Sequence, residues 1–316
     1  MTLSIRSLHP DDILRCAEIA TRSCLADGKS LVVTAEEVKE EFSLPNVDAG
    51  RDVFVAVDGD LVVGYSYTYM LHNPEGDQRC YVFGHVDPPH RRRGVGRTLM
   101  DHAVARARSI LESSPCSGSS FLRADCPTTN IGAQALFASH GMEPVRWFSN
   151  LWRPLQHLPQ LAPPTEFEIV AWDPERNETL RQVKNTAFAD HWGSTPTSVE
   201  NWEQLTMGSS ARLDLSFEAR VGERTVGLLL THRYPHDDEV VGGRFGWIDK
   251  LATLPGWRAR GVASSLIGSA LLAYDQQGLT HAALDVDTSS QTGANRLYER
   301  LGFTLKFLTV TWSLST

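Results

Sequence analysis

At 316 residues the chain has room for two domains of ordinary size, each able to bury its own core. Its composition, 41% hydrophobic and 22% charged with a formal net charge of -8, excludes collagenous and low-complexity chains and argues against non-specific nucleic-acid binding. No apolar run is long enough to span a bilayer, the first residues lack a secretory signal, and the five cysteines form no C-x-x-C pair; a cytoplasmic protein without disulfides, membrane span or bound metal is expected.

In chain order, a short apolar strand around Ile5 runs into a helix start at Pro10, and a helix pair follows. Phe54, Ala56, Gly59, Val63 and Gly64 then read as a hairpin turning at Asp58-Gly59. A further strand leads to Arg91-Arg92-Arg93-Gly94-Val95-Gly96-Arg97, which opens a helix whose apolar face is Leu99, Met100, Ala103, Val104 and Ala107. Beyond it stand Asn130 and, seven residues later, Phe137, just before Gly141-Met142.

Residues 157–165 are rich in proline and hold neither helix nor central strand, so the linker is placed there, between domains at 1–156 and 166–316. After it the same series recurs. Ile169 and Pro174 match Ile5 and Pro10 at an offset of 164, and Phe217, Ala219, Gly222, Val226 and Gly227 match the first hairpin at 163. Arg258-Ala259-Arg260-Gly261-Val262-Ala263-Ser264 matches the first Arg/Gly loop at 167, and Leu266, Ile267, Ala270, Leu271 and Tyr274 repeat the helix face. Each half therefore predicts strand, helix pair, hairpin, strand, Arg/Gly loop, helix, strand, helix, strand. The fold class is α/β, with a mixed sheet of the α+β kind, used twice.

A glycine turn that feeds a helix N-terminus aims several backbone N–H groups at one point, where the helix dipole adds positive charge; a phosphate suits it, and a neighbouring arginine adds a charged donor. A P-loop is excluded because Gly-Lys-Ser/Thr is missing, and a dinucleotide fingerprint because Leu99 and Ser264 stand where its third glycine belongs.

Both Arg-x-x-Gly-x-Gly/Ala loops, and the segment Ala294-Asn295-Arg296-Leu297-Tyr298-Glu299-Arg300-Leu301-Gly302-Phe303, resemble the GCN5-related N-acetyltransferase (GNAT) family over nearly the whole chain, as two tandem domains. The resemblance implies an acetyl-CoA-dependent N-acetyltransferase acting by direct attack of a small-molecule primary amine, as a monomer or homodimer with no nucleic-acid or membrane partner. Cofactor contacts are expected from Arg91, Arg92, Arg93, Gly94, Val95, Gly96, Arg97 and Asn130 in the first half. In the second they are expected from Leu251, Thr253, Arg258, Arg260, Gly261, Val262, Ala263 and Ser264.

The same resemblance makes Tyr298 the proton donor to the departing thiolate, its phenol near pKa ~10 facing a thiol near ~8.5. Strand alternation puts Trp247, Asp249, Leu251 and Thr253 on one face; the resemblance, which implies an acidic residue at about this place, makes Asp249 the candidate base, directly or through a water, and the Leu251 N–H the candidate donor to the carbonyl oxygen. Asp249 reads equally as a strand-end carboxylate that holds Lys250, and Tyr298 also as a packing ring. His191 and Trp192, in the helix-pair region, are candidate acceptor contacts, against a purely structural histidine. The family's asparagine before the tyrosine is replaced here by Gln291 or Ser290.

In the first half an offset of 167 puts Val82 at the place of Asp249, and Phe137 takes the tyrosine position; His85 and His90 lie near the loop, as phosphate contacts or exposed side chains ahead of substitute proton carriers. The first half is thus expected to bind CoA without turning it over. Two further readings stay open: a CoA or acyl-CoA sensor without turnover, and an acyltransferase of secondary-metabolite biosynthesis.

Overall fold

A computed structural model describes residues 3–290 and 292–316. The chain falls into two compact units, Met1–Trp147 with Thr309–Thr316, and Phe148–Leu308.

In the first unit β1 (Leu3–Ser7) is followed by α1 (Ile13–Ala26), α2 (Ala35–Phe42) and a short α3 (Ala49–Asp52). Next come β2 (Val53–Asp58), β3 (Leu61–Leu71), β4 (Gln78–Val86), α4 (Val95–Ser113), β5 (Ser120–Pro127) and α5 (Ile131–Ser139). After β6 (Glu143–Pro154), the second unit repeats the order with β7 (Glu168–Ala171), α6 (Asn177–Phe188), α7 (Val199–Met207), β8 (Phe217–Val221) and β9 (Arg224–His232). It continues through a short α8 (Asp238–Val241), β10 (Phe245–Thr253), α9 (Val262–Gln276), β11 (His281–Asp287), α10 (Ala294–Arg300) and β12 (Thr304–Ser315).

The last strand of each series is exchanged. Residues 148–154 of β6 pair with β11, completing the second unit's order β7-β8-β9-β10-β11-β6, while Thr309–Ser315 of β12 pair with β5 and complete β1-β2-β3-β4-β5-β12 in the first. The compact units therefore differ from a division at residues 156 and 166. The proline-rich stretch lies inside the second unit, where Leu155 and Phe167 on either side of it enter the core and Leu158 packs against that core. Apolar matching explains the exchange: Val310 and Trp312 belong to the core that contains Leu122 and Phe137, whereas Leu151 joins Ala282, Leu284 and Tyr298.

Each unit packs its long helix on the sheet through the repeated apolar face, Leu99, Met100, Ala103, Val104 and Ala107 in α4 and Leu266, Ile267, Ala270, Leu271 and Tyr274 in α9, all buried. A glycine in the facing strand permits the close approach. A Cβ on Gly64 would meet Leu99 Cδ1 at 3.0 Å, and one on Gly227 would meet Val262 Cγ1 at 2.7 Å.

Candidate active site

The two Arg/Gly loops share one backbone conformation. Gly94 (φ 90°) and Gly261 (φ 87°) stand immediately before α4 and α9, and each is preceded two residues earlier by a non-glycine residue in the left-handed region, Arg92 (φ 62°) and Ala259 (φ 61°). Neither helix has a side-chain cap; the first backbone bonds are Thr98 N–H to Gly94 O at 3.0 Å and Ser265 N–H to Gly261 O at 2.9 Å. The N–H groups of Val95, Gly96 and Arg97, and of Val262, Ala263 and Ser264, thus precede the first helical bond and point along the axis. Beyond each glycine a Cβ would meet nothing within 4 Å. A phosphate cradle needs such donors and such open space, and both loops have them.

The side chains expected to assist are placed otherwise. Arg91 donates to Asp27 (2.6 and 3.1 Å) and to Ser23 Oγ (2.7 Å); Arg258 donates to Asp190 (2.5 and 3.0 Å) and to the Ala187 carbonyl (2.8 Å). These hydrogen bonds brace the loop to the end of the first helix of its unit. Asn130 belongs to the same brace: its amide donates to Asp27 at 2.8 Å while its oxygen caps Ala133 N–H at 2.9 Å. Val95 and Val262 have buried side chains, so only their N–H groups are available. Arg260 lies over the Trp257 ring (5.0 Å) and 3.2 Å from Glu166, whereas Arg92, Arg93 and Arg97 are exposed. Asp27 and Asp190 stand at the hairpin offset of 163, a signal present in the sequence but not used.

The strand before the loop separates the units. β4 pairs with β3 without interruption from Gly64↔Val86 to Leu71↔Arg79, whereas β10 slips against β9: Ile248 faces Thr231 and Lys250 faces Leu230, leaving Asp249 as the extra residue of a β-bulge. Since Thr68 faces Val82 as Thr231 faces Ile248, the residue equivalent to Val82 is Ile248, and Asp249 has no counterpart in the first unit.

The bulge also corrects the expected shared face. Trp247 pairs with His232 and Leu251 with Leu229, three residues apart on β9, so Trp247 and Leu251 lie on opposite faces. Asp249 sits with Trp247, Lys250 and His232 on the α6 side, away from Leu251 and Thr253. Its carboxylate is 2.7 Å from Lys250 Nζ, and Lys250, His232 and Trp247 together hold its pKa below the usual carboxylate value despite burial. Above it in α6 is Lys184, which sequence reasoning missed. Burial, with repulsion from Lys250, pulls this ammonium down to about 8, and it donates to Thr197 Oγ1 at 2.5 Å. A lysine at helical spacing from the apolar Leu180 and Ala187 is the signal that would have found it.

The backbone of β10 is open on its other edge. Parallel pairing with β11 covers only Phe245 to Trp247, after which the strands part. Leu254 N–H donates to Val226 O at 2.9 Å, so by the alternation of an antiparallel ladder the N–H groups of Leu251 and Thr253 point away from β9, into that gap.

Tyr298, in α10, is 7% exposed and packs edge-on against Phe303 (5.8 Å). Among the described residues nothing hydrogen-bonds its hydroxyl, and burial pushes its pKa well above 10, so the phenol stays protonated. The ordinary phenol value is thus corrected upward; a thiolate formed in the same dry surroundings is raised by the same cause. Phe137 occupies the corresponding place in α5, its ring 6.2 Å from Trp312.

His191 follows α6, its ring 4.4 Å from Phe188; burial lowers its pKa, and Asp190, Arg258 and Asp287 act on it. Trp192 lies 6.4 Å from Phe148. In the first unit His85 is half-buried against Tyr65 (5.6 Å) and burial pulls it down to about 4, so it is neutral and not exposed; His90 is 3.8 Å from Asp87. Ser290 bonds Thr292, 2.9 Å away, and Gln291 lies outside the described residues. Among the described residues no helix is long and apolar enough to cross a membrane.

Comparison with known proteins agrees with this geometry. The family model of the acetyltransferase (GNAT) family matches twice, at residues 22–142 and 177–303. A mycothiol acetyltransferase of Gordonia bronchialis is 30% identical over 93% of this chain and 92% of its own, and one of Thermomonospora curvata is 28% identical over 92% and 89%. Among solved structures, a GCN5-related N-acetyltransferase from Sphaerobacter thermophilus has a similar fold (TM-score 0.76, 23% identity, 99% of this chain and 95% of that one). So has a tandem GNAT protein from the clavulanic acid biosynthesis pathway (TM-score 0.72, 17% identity, 99% and 98%).

Proposed function

The chain belongs to the acetyltransferase (GNAT) family, and on that premise we propose that it is a cytoplasmic N-acetyltransferase whose second unit moves an acetyl group from acetyl-CoA to the primary amine of a small molecule by direct attack. Acetyl-CoA supplies a thioester and leaves as a thiol. The loop at Gly261 holds phosphate through the N–H groups of Val262, Ala263 and Ser264. Leu251 N–H, turned into the gap beside β10, donates to the carbonyl oxygen as charge develops there.

Asp249 is ionised and tied to Lys250, which makes it a weak base by itself; it acts best by drawing a proton from the amine through a water, or by holding the ammonium until it loses one. Tyr298, protonated and without a partner among the described residues, gives its proton to the thiolate and recovers one from solvent. His191 and Trp192 border the acceptor.

The observation that carries this reading is that the second unit holds both the bulge carboxylate Asp249 and the Tyr298 phenol, where the first has an unbroken β3–β4 ladder and Phe137. The first unit keeps the cradle alone and binds CoA without turning it over. The relatives' name puts the acceptor of mycothiol acetyltransferases first in a panel of amines. Mass spectrometry of products after incubation with acetyl-CoA tests the proposal: an N-acetylated product that needs Tyr298 supports it, and tight CoA retention with no product from any amine replaces it with the sensor reading.

A further inference from the structure

The second unit buries a cation that the steps of acetyl transfer do not use. Lys184 is 5% exposed and shares the face of α6 that carries Leu180 and Ala187 into the core with Leu228 and Leu230 of β9. Its ammonium donates to Thr197 Oγ1 at 2.5 Å and, at a longer 3.3 Å, to Asn185 Oδ1, and lies 5.4 Å from the centre of the Phe188 ring. Thr197 is itself fixed, its N–H donating to Asn185 Oδ1 at 2.8 Å and its carbonyl accepting from Arg181 at 2.6 Å. Of the three N–H groups an ammonium carries, one is left over among the described residues.

The fold does not require a charge at this place. The carbonyls of Ser23 and Ala187 accept from Arg91 and Arg258 in the same way, so α1 and α6 match at an offset of 164 and Ala20, buried in an apolar core, stands where Lys184 does. Lys250 faces Leu230 as Phe83 faces Tyr67, so the first unit has a ring at the neighbouring place. An ammonium buried at such a position costs stability unless an opposite charge meets it.

Among the described residues no acid pairs with it. The other cations of this region each hold their own carboxylate: Lys250 with Asp249 at 2.7 Å, Arg181 with Glu178 at 2.7 Å and Arg258 with Asp190 at 2.5 Å. Lys184 has only the hydroxyl of Thr197 and the amide of Asn185. Asp249 and Lys250 act on Lys184, and Lys184 in turn acts on His191, so it stands within electrostatic reach of both the candidate base and a candidate acceptor contact. Lys250 and Asp249 keep 24% and 17% of their side chains open, which gives the group a side from which a ligand can approach.

We infer that the acceptor brings the missing charge: it is an amino acid, its amine held at Asp249 and its carboxylate held by Lys184. A small molecule with an amine at one end and a carboxylate at the other is complementary to the acid and the unpaired cation set side by side here. A buried charge that is left without its partner when the carboxylate is missing makes the discrimination large. The inference rests on the reading that the second unit acetylates amines, and it names the class of amine; Lys184 is then a specificity residue and takes no part in the proton transfers.

Initial rates of the full chain with amino acids and their decarboxylated counterparts test it: L-cysteine and cysteamine, L-phenylalanine and phenethylamine, L-arginine and agmatine. In at least one pair kcat/KM is expected to favour the amino acid by about tenfold or more, and Lys184→Met and Lys184→Gln are each expected to erase that preference. Calorimetry with the N-acetylated products of the same pairs needs no turnover: the product that bears a carboxylate should bind about tenfold or more tighter, and only with Lys184 in place. A thermal melt checks both variants; Met removes the buried charge, and Gln keeps a donor for Thr197. The inference is overturned if in every pair the decarboxylated member reacts and binds as well, if the preference survives both variants, or if no amine reacts and no product binds at about 10 mM. Lys184-dependent binding of the carboxylate-bearing products with no acetylation of any of the amines overturns the transfer reading instead, and supports the acid-binding site.

Discussion

In the first unit β4 runs beside β3 in unbroken register, whereas in the second β10 slips by one residue at Asp249; and where α5 presents the Phe137 ring, α10 presents the Tyr298 phenol. The loops that follow β4 and β10 show no such divergence. They repeat each other down to the strained residues Arg92 and Ala259 and the braces Arg91–Asp27 and Arg258–Asp190. What the two loops share is a backbone shape, which many residues hold in place together. Proton transfer rests on single atoms, and a unit without them folds equally well.

The largest effect that tests this comparison is structural. Removal of residues 309–316 strips β5 of its outer partner and takes Val310 and Trp312 from the first core; Trp312→Ala alone is expected to cost about 3–5 kcal/mol. Hydrogen exchange should show protection lost over residues 3–147 and kept over 148–308. Equal loss in both would mean that the units do not stand separately.

Next in size is Tyr298→Phe, expected to lower kcat by about 10²–10⁴-fold while acetyl-CoA affinity stays unchanged; Asp249→Asn should cost about 10²-fold. Phe137→Ala should leave kcat nearly untouched. A kcat that survives Tyr298→Phe but not Phe137→Ala would reverse the assignment of the units.

An acid titration separates the units further. His85, held near 4 when folded, takes up a proton near 6.5 when unfolded, so the unfolded state binds more protons between those values and stability falls as pH drops through that window, by roughly 3 kcal/mol at most. Ala252 stands at the equivalent place in the second unit, so acid unfolding followed by unit should begin in the first and be delayed by His85→Phe. Simultaneous unfolding would assign the acid sensitivity elsewhere.

The smallest effects lie in the loops, and they should be equal. Gly94→Ala and Gly261→Ala each force a side chain to positive φ, at about 1–2 kcal/mol. Native mass spectrometry should count two CoA molecules on the wild type and one on either variant. A count of one on the wild type, abolished only by Gly261→Ala, would make the first cradle empty architecture.

The repeat, the loops and the contrast of Tyr298 with Phe137 were legible in the sequence because each is carried by residue spacing, and spacing survives low identity. The bulge was not: one extra residue in a strand appears only as an offset that moves from 166 at Ile248 to 167 at Lys250, and apolar matching absorbs it. The braces from Arg91 and Arg258 are not legible in the sequence, because their partners, Asp27 and Asp190, lie over sixty residues away. The strand exchange was hidden for a similar reason. β6 and β12 are both 12 residues long, and local pattern does not say which neighbour a strand will join.

That exchange sets a clock on synthesis. When residue 147 leaves the ribosome, β5 has an edge lined by unpaired backbone, and Leu122, Ala124 and Cys126 still await Val310 and Trp312. At the usual 5–20 residues per second, roughly ten to thirty seconds pass before that partner is made. The first unit to be translated is thus the last to be finished, and until then its open edge is the part of the nascent chain most in need of protection.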